Sequence, residues 1–140
     1  MVARPHHLLV IDDEPFIGRI VRFEFEQGPY RVSIASDGNE GLAFLRANPD
    51  VDLVLLDVNM PTRSGLDVLA EAKADPALGR VPFVVLTAAG QSAYAERAKA
   101  LGAAAFLTKP FSPKKLARQV AAILGDAPDA RYEADVTEET

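Results

Sequence analysis

The sequence predicts an α/β fold, a doubly wound five-stranded parallel sheet with helices on both faces. Three observations lead there. Short apolar runs such as Leu8-Leu9-Val10-Ile11 and Leu53-Val54-Leu55-Leu56 have the character of strands buried on both sides. Amphipathic stretches of helical length separate these runs. No hairpin turn joins one run directly to the next, so the strands connect through right-handed helical crossovers.

Taken in order, the first strand is Leu8 to Ile11, stopped by Asp12-Asp13. A helix over Glu14 to Gln27 follows, with Asp13 as its N-cap and Pro15 in its first turn. Its buried stripe is expected to be Ile17, Ile20 and Val21, with Phe25 as a further member. Phe16 and Phe23 fall toward other faces, either folded over the core edge or exposed. Gly28-Pro29 ends this helix, and Tyr30 to Ala35 alternates as a second strand. Asp37 with Glu40 has the form of a capping box for a second helix, closed by Asn48-Pro49.

Asp52 to Leu56 is the third strand and Asp57 ends it. The third helix spans Gly65 to Ala74, and the fourth strand Phe83 to Leu86 ends at Thr87. Ser92 to Leu101 is the fourth helix, stopped by Gly102. Ala104 to Leu107 is a short fifth strand that delivers Thr108 and Lys109. Ser112-Pro113 opens a last helix with a stripe of Leu116, Val120, Ile123 and Leu124. His6 and His7, at the start of the first strand, read as an exposed pair without a metal role.

A chain of 140 residues suits one domain. Residues 126–140 carry six acidic residues against Arg131 alone, and read as a flexible acidic tail or linker after a domain over residues 1–125. The body then keeps 14 of the 15 basic and 14 of the 20 acidic residues, so no basic excess points to nucleic acid. The absence of Cys excludes disulfides and thiolate metal sites. No apolar run approaches the roughly 20 residues of a membrane span, and residues 1–7 lack the apolar stretch of a signal peptide. A cytoplasmic location is expected.

Ligands of open α/β sheets bind at the carboxyl ends of the strands. Those ends carry Asp12 and Asp13, Asp57, Thr87 and Lys109. Each has an ordinary use when taken alone: a helix cap, a turn residue, a strand-end hydroxyl, a solvated charge. Their convergence on one edge is what points to chemistry. Three carboxylates together repel one another unless a cation joins them. Oxygen ligands without His or Cys point to Mg²⁺. With Lys109 as a second positive charge, the site suits a phosphoryl group, Asp57 acting as the attacking carboxylate. Thr87 can donate a hydrogen bond to the product.

These stretches resemble the receiver domain of two-component response regulators. The matching segments are Leu9-Val10-Ile11-Asp12-Asp13-Glu14, Leu55-Leu56-Asp57-Val58-Asn59-Met60-Pro61 running to Ser64-Gly65, Val84-Val85-Leu86-Thr87-Ala88, and Phe106-Leu107-Thr108-Lys109-Pro110-Phe111. The resemblance covers residues 7 to about 124. It implies a flavodoxin-like receiver fold with strand order 2-1-3-4-5. It also implies that Asp57 accepts phosphate from a sensor histidine kinase or histidine phosphotransfer protein. Mg²⁺ would be held by Asp13, Asp57 and the Asn59 carbonyl, with Asp12 acting through water. Lys109 would pair with the phosphoryl group, and the bond from Lys109 to Pro110 would be cis. Thr87 and Phe106 would form the switch that alters the face made by the fourth helix, fifth strand and fifth helix for a downstream protein.

A receiver of this kind catalyses only its own phosphorylation and dephosphorylation. The resemblance assigns docking of the phosphodonor to the first helix, which brings in Pro15, Phe16 and Phe23. The resemblance also implies that Ala89 and Asn59 occupy positions that tune phosphate loss. Ala104-Ala105 stand where many DNA-binding members have an acidic pair, which weakens the case for dimers through that face; a monomer or weak phosphorylation-dependent dimer is expected. No helix-turn-helix follows Leu124. A stand-alone regulator is the first reading, and a module of a larger hybrid kinase or output protein the second. A haloacid-dehalogenase-like phosphatase is a distant third, because the acid it needs two residues after the nucleophile is here Asn59. A dinucleotide binder lacks its Gly-rich loop after the first strand.

Overall fold

The computed structural model describes residues 4–61, 63–88, 90 and 92–125. Five strands form one parallel sheet: β1 (His6–Ile11), β2 (Tyr30–Ala35), β3 (Val51–Asp57), β4 (Phe83–Ala88) and β5 (Ala105–Lys109), in the order β2-β1-β3-β4-β5. The helices between and after them are α1 (Pro15–Phe25), α2 (Gly38–Ala47), α3 (Gly65–Ala74), α4 (Ser92–Ala100) and α5 (Pro113–Leu124). The expected class and strand order are therefore the observed ones.

Alternation along the central strands divides the core in two. Leu9, Ile11, Val54, Leu56 and Val85 face a layer built from α2, α3 and Ala98 of α4. Leu8, Val10, Leu53, Leu55, Val84 and Leu86 face α1 and α5. The central-strand residues Leu8 to Ile11 and Leu53 to Leu56 are completely buried, each such side chain contributing about 1.5–3 kcal/mol. This burial on both faces is why the runs are apolar throughout rather than alternating.

Helix starts follow local chemistry. The Asp37 side chain accepts from the Glu40 amide at 2.8 Å, while the Glu40 carboxylate reaches back to the Ser36 amide at 3.1 Å. Ser64 and Ser112 cap α3 and α5 in the same manner. Gly125 closes α5 in the left-handed conformation, φ 75°.

Several expectations are corrected. The cap of α1 is Glu14, not Asp13, and its side chain makes no capping bond. The buried stripe of α1 is Ile17, Gly18, Val21 and Phe25. Ile20 lies with Phe16 and Phe23 on a second face, since spacings of three and four residues align on a helix. These three are 37%, 47% and 75% exposed, so the phenylalanines do not fold over the core edge. His7 is buried, not exposed: the pleat of β1 turns it inward beside Leu9, where its ring meets Phe44 edge-on. Its Nε2 lies 2.7 Å from Ser33 Oγ and its Nδ1 3.0 Å from Asp50 Oδ2. Strands β4 and β5 run further than expected, because Thr87 pairs with Thr108 and Ala88 with Lys109. Ala89 and the acidic end, residues 126–140, lie outside the described residues.

Candidate functional site

The parallel register brings the strand ends to one level. Ile11 pairs with Leu56, and Asp57 with Leu86. Asp12, Asp57 and Thr87 therefore emerge at the same edge of three adjacent strands. All three are buried. Lys109, at the end of β5, reaches back across β4 toward β1 and β3.

Asp12, Asp13 and Asp57 each offer an oxygen within 4.8 Å of the others. Asp12 Oδ1 accepts the Glu14 amide at 2.9 Å, and Asp57 Oδ1 accepts the Asn59 amide at 3.1 Å. Burial, followed by repulsion from Asp12, pushes the Asp57 carboxyl up to about 7. Burial also raises Asp12, against the pull of its hydrogen bond from Lys109. These are the marks of carboxylates gathered at the expense of their own ionisation. A hard divalent cation would relieve them, and a set of oxygen donors free of His and Cys suits one. The residues present therefore fit the metal that the sequence implied.

The Lys109 ammonium donates to Asp12 Oδ2 and Glu14 Oε1, both at 2.8 Å, and stands 3.6 Å from Asp57 Oδ1. Burial works against its charge, but the bonds to Asp12 and Glu14 outweigh that and push it up to about 12. The next peptide bond, Lys109–Pro110, is cis. Thr87 Oγ1 donates to the Leu107 carbonyl at 3.5 Å, a long bond, and Phe106 is 46% exposed. The two line one cleft of about 210 Å³ with Ser92 and Glu96 of α4.

Behind the acceptor, Gly65 packs on the Asp57 carbonyl, and its amide donates to the Val58 carbonyl at 2.9 Å. Arg63 ties the same loop to Asn39 of α2 and Glu71 of α3. Away from the acidic cluster, Phe16, Ile20, Phe23 and Pro113 line an open depression of about 390 Å³ beside α1. Pro15 begins that helix. The site residues expected from sequence at the strand ends thus meet at one edge; Phe16 and Phe23 form a separate surface. Sequence reasoning missed Glu14 as a partner of Lys109. The available signal was an acidic residue at a helix cap, where Glu caps poorly and its side chain is free for other use.

This arrangement of a strand-end Asp, a carboxylate cluster and a lysine on a doubly wound sheet is the one expected of a receiver domain. Comparison with known proteins agrees. A family model described as the response regulator receiver domain matches residues 8–121, and the chain belongs to that family. Response regulator SaeR of Staphylococcus aureus is 36% identical over 114 residues, which are 81% of this chain and 48% of that protein. The chain thus spans about half the length of the curated relatives it matches. Among solved structures, a putative response regulator from Chloroflexus aurantiacus superposes with a TM-score of 0.81 at 29% identity, over 86% of this chain and 98% of that one. The chemotaxis protein CheY4 of Vibrio cholerae gives 0.78 at 28% identity, over 85% and 98%. Among the described residues no helix is long and apolar enough to cross a membrane.

Proposed function

We propose that this receiver accepts a phosphoryl group on Asp57 from a phosphohistidine of a sensor kinase or phosphotransfer protein, in a reaction that requires Mg²⁺. One observation carries the reading: Asp57 is buried at a strand end with Asp12 and Asp13 within 4.8 Å and the Lys109 ammonium 3.6 Å away. An Asp57 carboxylate oxygen attacks the phosphorus in line. The new P–O bond makes an acyl phosphate, and the P–N bond to the donor imidazole breaks. The imidazole leaves with the bonding pair and takes a proton from solvent.

Asp13, Asp57 and the Asn59 carbonyl would hold Mg²⁺, with Asp12 acting through water; the ion, when bound, supplies neutralisation of phosphoryl charge. Lys109 neutralises a further phosphoryl oxygen. Thr87 exchanges its long bond to Leu107 for one to the phosphate, and Phe106 turns into the space this opens. That change is read on the α4–β5–α5 face by a downstream protein. Pro15, Phe16 and Phe23 form the docking surface for the donor.

The unit acts in the cytoplasm, catalyses only its own phosphorylation and dephosphorylation, and consists of residues 1–125 followed by the acidic segment 126–140. A stand-alone regulator is the reading taken for the whole protein, and mapping its native reading frame separates this from a module of a longer chain. Incubation with acetyl phosphate and Mg²⁺, followed by intact mass, tests the central step. A gain of one phosphoryl group that is absent in Asp57→Asn is expected. Equal uptake by the variant would sink the proposal.

A further inference from the structure

We infer that Glu14 is a positioning residue that holds the Lys109 ammonium away from Asp57 until a phosphoryl group replaces it, and so sets how readily this receiver accepts phosphate. The inference rests on the receiver reading above.

An ammonium has three N–H donors. In Lys109 two are engaged at 2.8 Å, by Asp12 Oδ2 and Glu14 Oε1, and Asp57 stays beyond hydrogen-bond range at 3.6 Å. Both bonds draw the ammonium away from Asp57, so for its third N–H to close on a phosphoryl oxygen there Lys109 must shift toward β3, which lengthens one of them. Asp12 is the poorer candidate for release. Its side chain is 1% exposed and it belongs to the carboxylate cluster. Glu14 is outside that cluster, and its side chain is 44% exposed. Losing Lys109 returns it to water at little cost, whereas Asp12 would be left a buried charge.

Glu14 is also placed for the task by the backbone. It is the cap residue of α1, yet its side chain makes no capping bond. Its own amide is pinned to Asp12 Oδ1 at 2.9 Å. The carboxylate therefore starts from a fixed point and is spent on Lys109 rather than on the helix. Both residues border a cleft of about 420 Å³ between α1 and the loop at Pro110–Phe111, which leaves room for Glu14 to swing aside.

The test compares wild type with Glu14→Gln and Glu14→Ala, each with acetyl phosphate and with phosphoramidate, which carries less negative charge. Initial rates are read by intact mass, and Mg²⁺-dependent beryllofluoride affinity by calorimetry. Release of a half-exposed ion pair is expected to raise the rate about two- to five-fold with both donors, and beryllofluoride affinity by the same factor. Unchanged or slower rates would overturn the inference. So would a gain confined to acetyl phosphate, because that is simple repulsion of an anion, or an unchanged beryllofluoride affinity. Thermal unfolding of each variant separates a loss of fold from a loss of rate. Uptake of phosphate by Asp57→Asn would refute the receiver reading itself; an Asp57→Asn variant that stays unmodified beside Glu14 variants that behave as wild type would refute this inference alone.

Discussion

Gly65 packs directly on the backbone carbonyl of Asp57, so closely that a β-carbon there would overlap the oxygen. The contact brings the start of α3 against the end of β3 and shapes the loop between them. A Gly65→Ala variant must move backbone, not a flexible side chain. A loss of about 1–3 kcal/mol in urea unfolding is expected, together with slower phosphorylation because the acceptor strand shifts.

The pH dependence of the metal-free protein follows from Asp57. Burial and the neighbouring Asp12 raise its carboxyl from 3.8 to about 7. A raised acid binds its proton more tightly folded than unfolded. Its contribution to stability is therefore complete below about pH 4 and is lost as pH rises through about 7. In EDTA, wild type should weaken between pH 5 and 8 by on the order of 2 kcal/mol, while Asp57→Asn, which keeps only the raised Asp12, should weaken less. Urea titrations of both proteins across that range check it.

Mg²⁺ should reverse this trend, because it competes with the same proton. Affinity should climb as pH rises toward 7, by up to about tenfold per unit if one proton is displaced, and then level off. Saturating metal at about one hundred times Kd should add ~2.7 kcal/mol of stability, and chelation should remove it. Asp13→Ala should abolish the gain. Calorimetric titration at several pH values gives the slope.

The buried His7 belongs to the opposite edge of the sheet, where β1, β2 and β3 begin. Ser33 and Asp50 bond to its ring, and the Asp52 carboxylate accepts its amide at 2.8 Å. His7→Leu would leave Ser33 and Asp50 short of a donor or acceptor, while the backbone bond to Asp52 remains. A loss of about 1–3 kcal/mol is expected, with phosphorylation by acetyl phosphate unchanged. Denaturation and intact mass on one preparation separate the two.

Phe16, Ile20 and Phe23 make an apolar face of α1 that the core does not use. If the phosphodonor docks there, Phe16→Ala and Phe23→Ala should each slow transfer from a cognate donor about fivefold or more. Their reaction with acetyl phosphate should match wild type. Parallel time courses with the two donors decide the point.

Most of the fold was legible because both periodicities are strong. The apolar runs of β1, β3 and β4 are continuous, and Asp37 and Ser112 cap helices where the sequence places them. The amphipathic face of α1 was misread at Ile20. Two apolar stripes on one helix overlap in sequence, and only packing decides which is covered. The limits of β4 and β5 were misjudged because Thr108 and Lys109 owe their strand state to partners on β4.

The sequence by itself determined the parallel α/β class, the order of its elements and the polar residues ending each strand. Those follow from local patterns of hydrophobicity, capping and turns, which act over a few residues. Only the tertiary structure decided which groups touch. The register of four strands carries Lys109 to Asp12, 97 positions away, and to Glu14 beside it. Burial then turns an ordinary Asp57 into a carboxyl poised near neutrality. Such contacts and such desolvation depend on distances through space, which no run of neighbouring residues encodes.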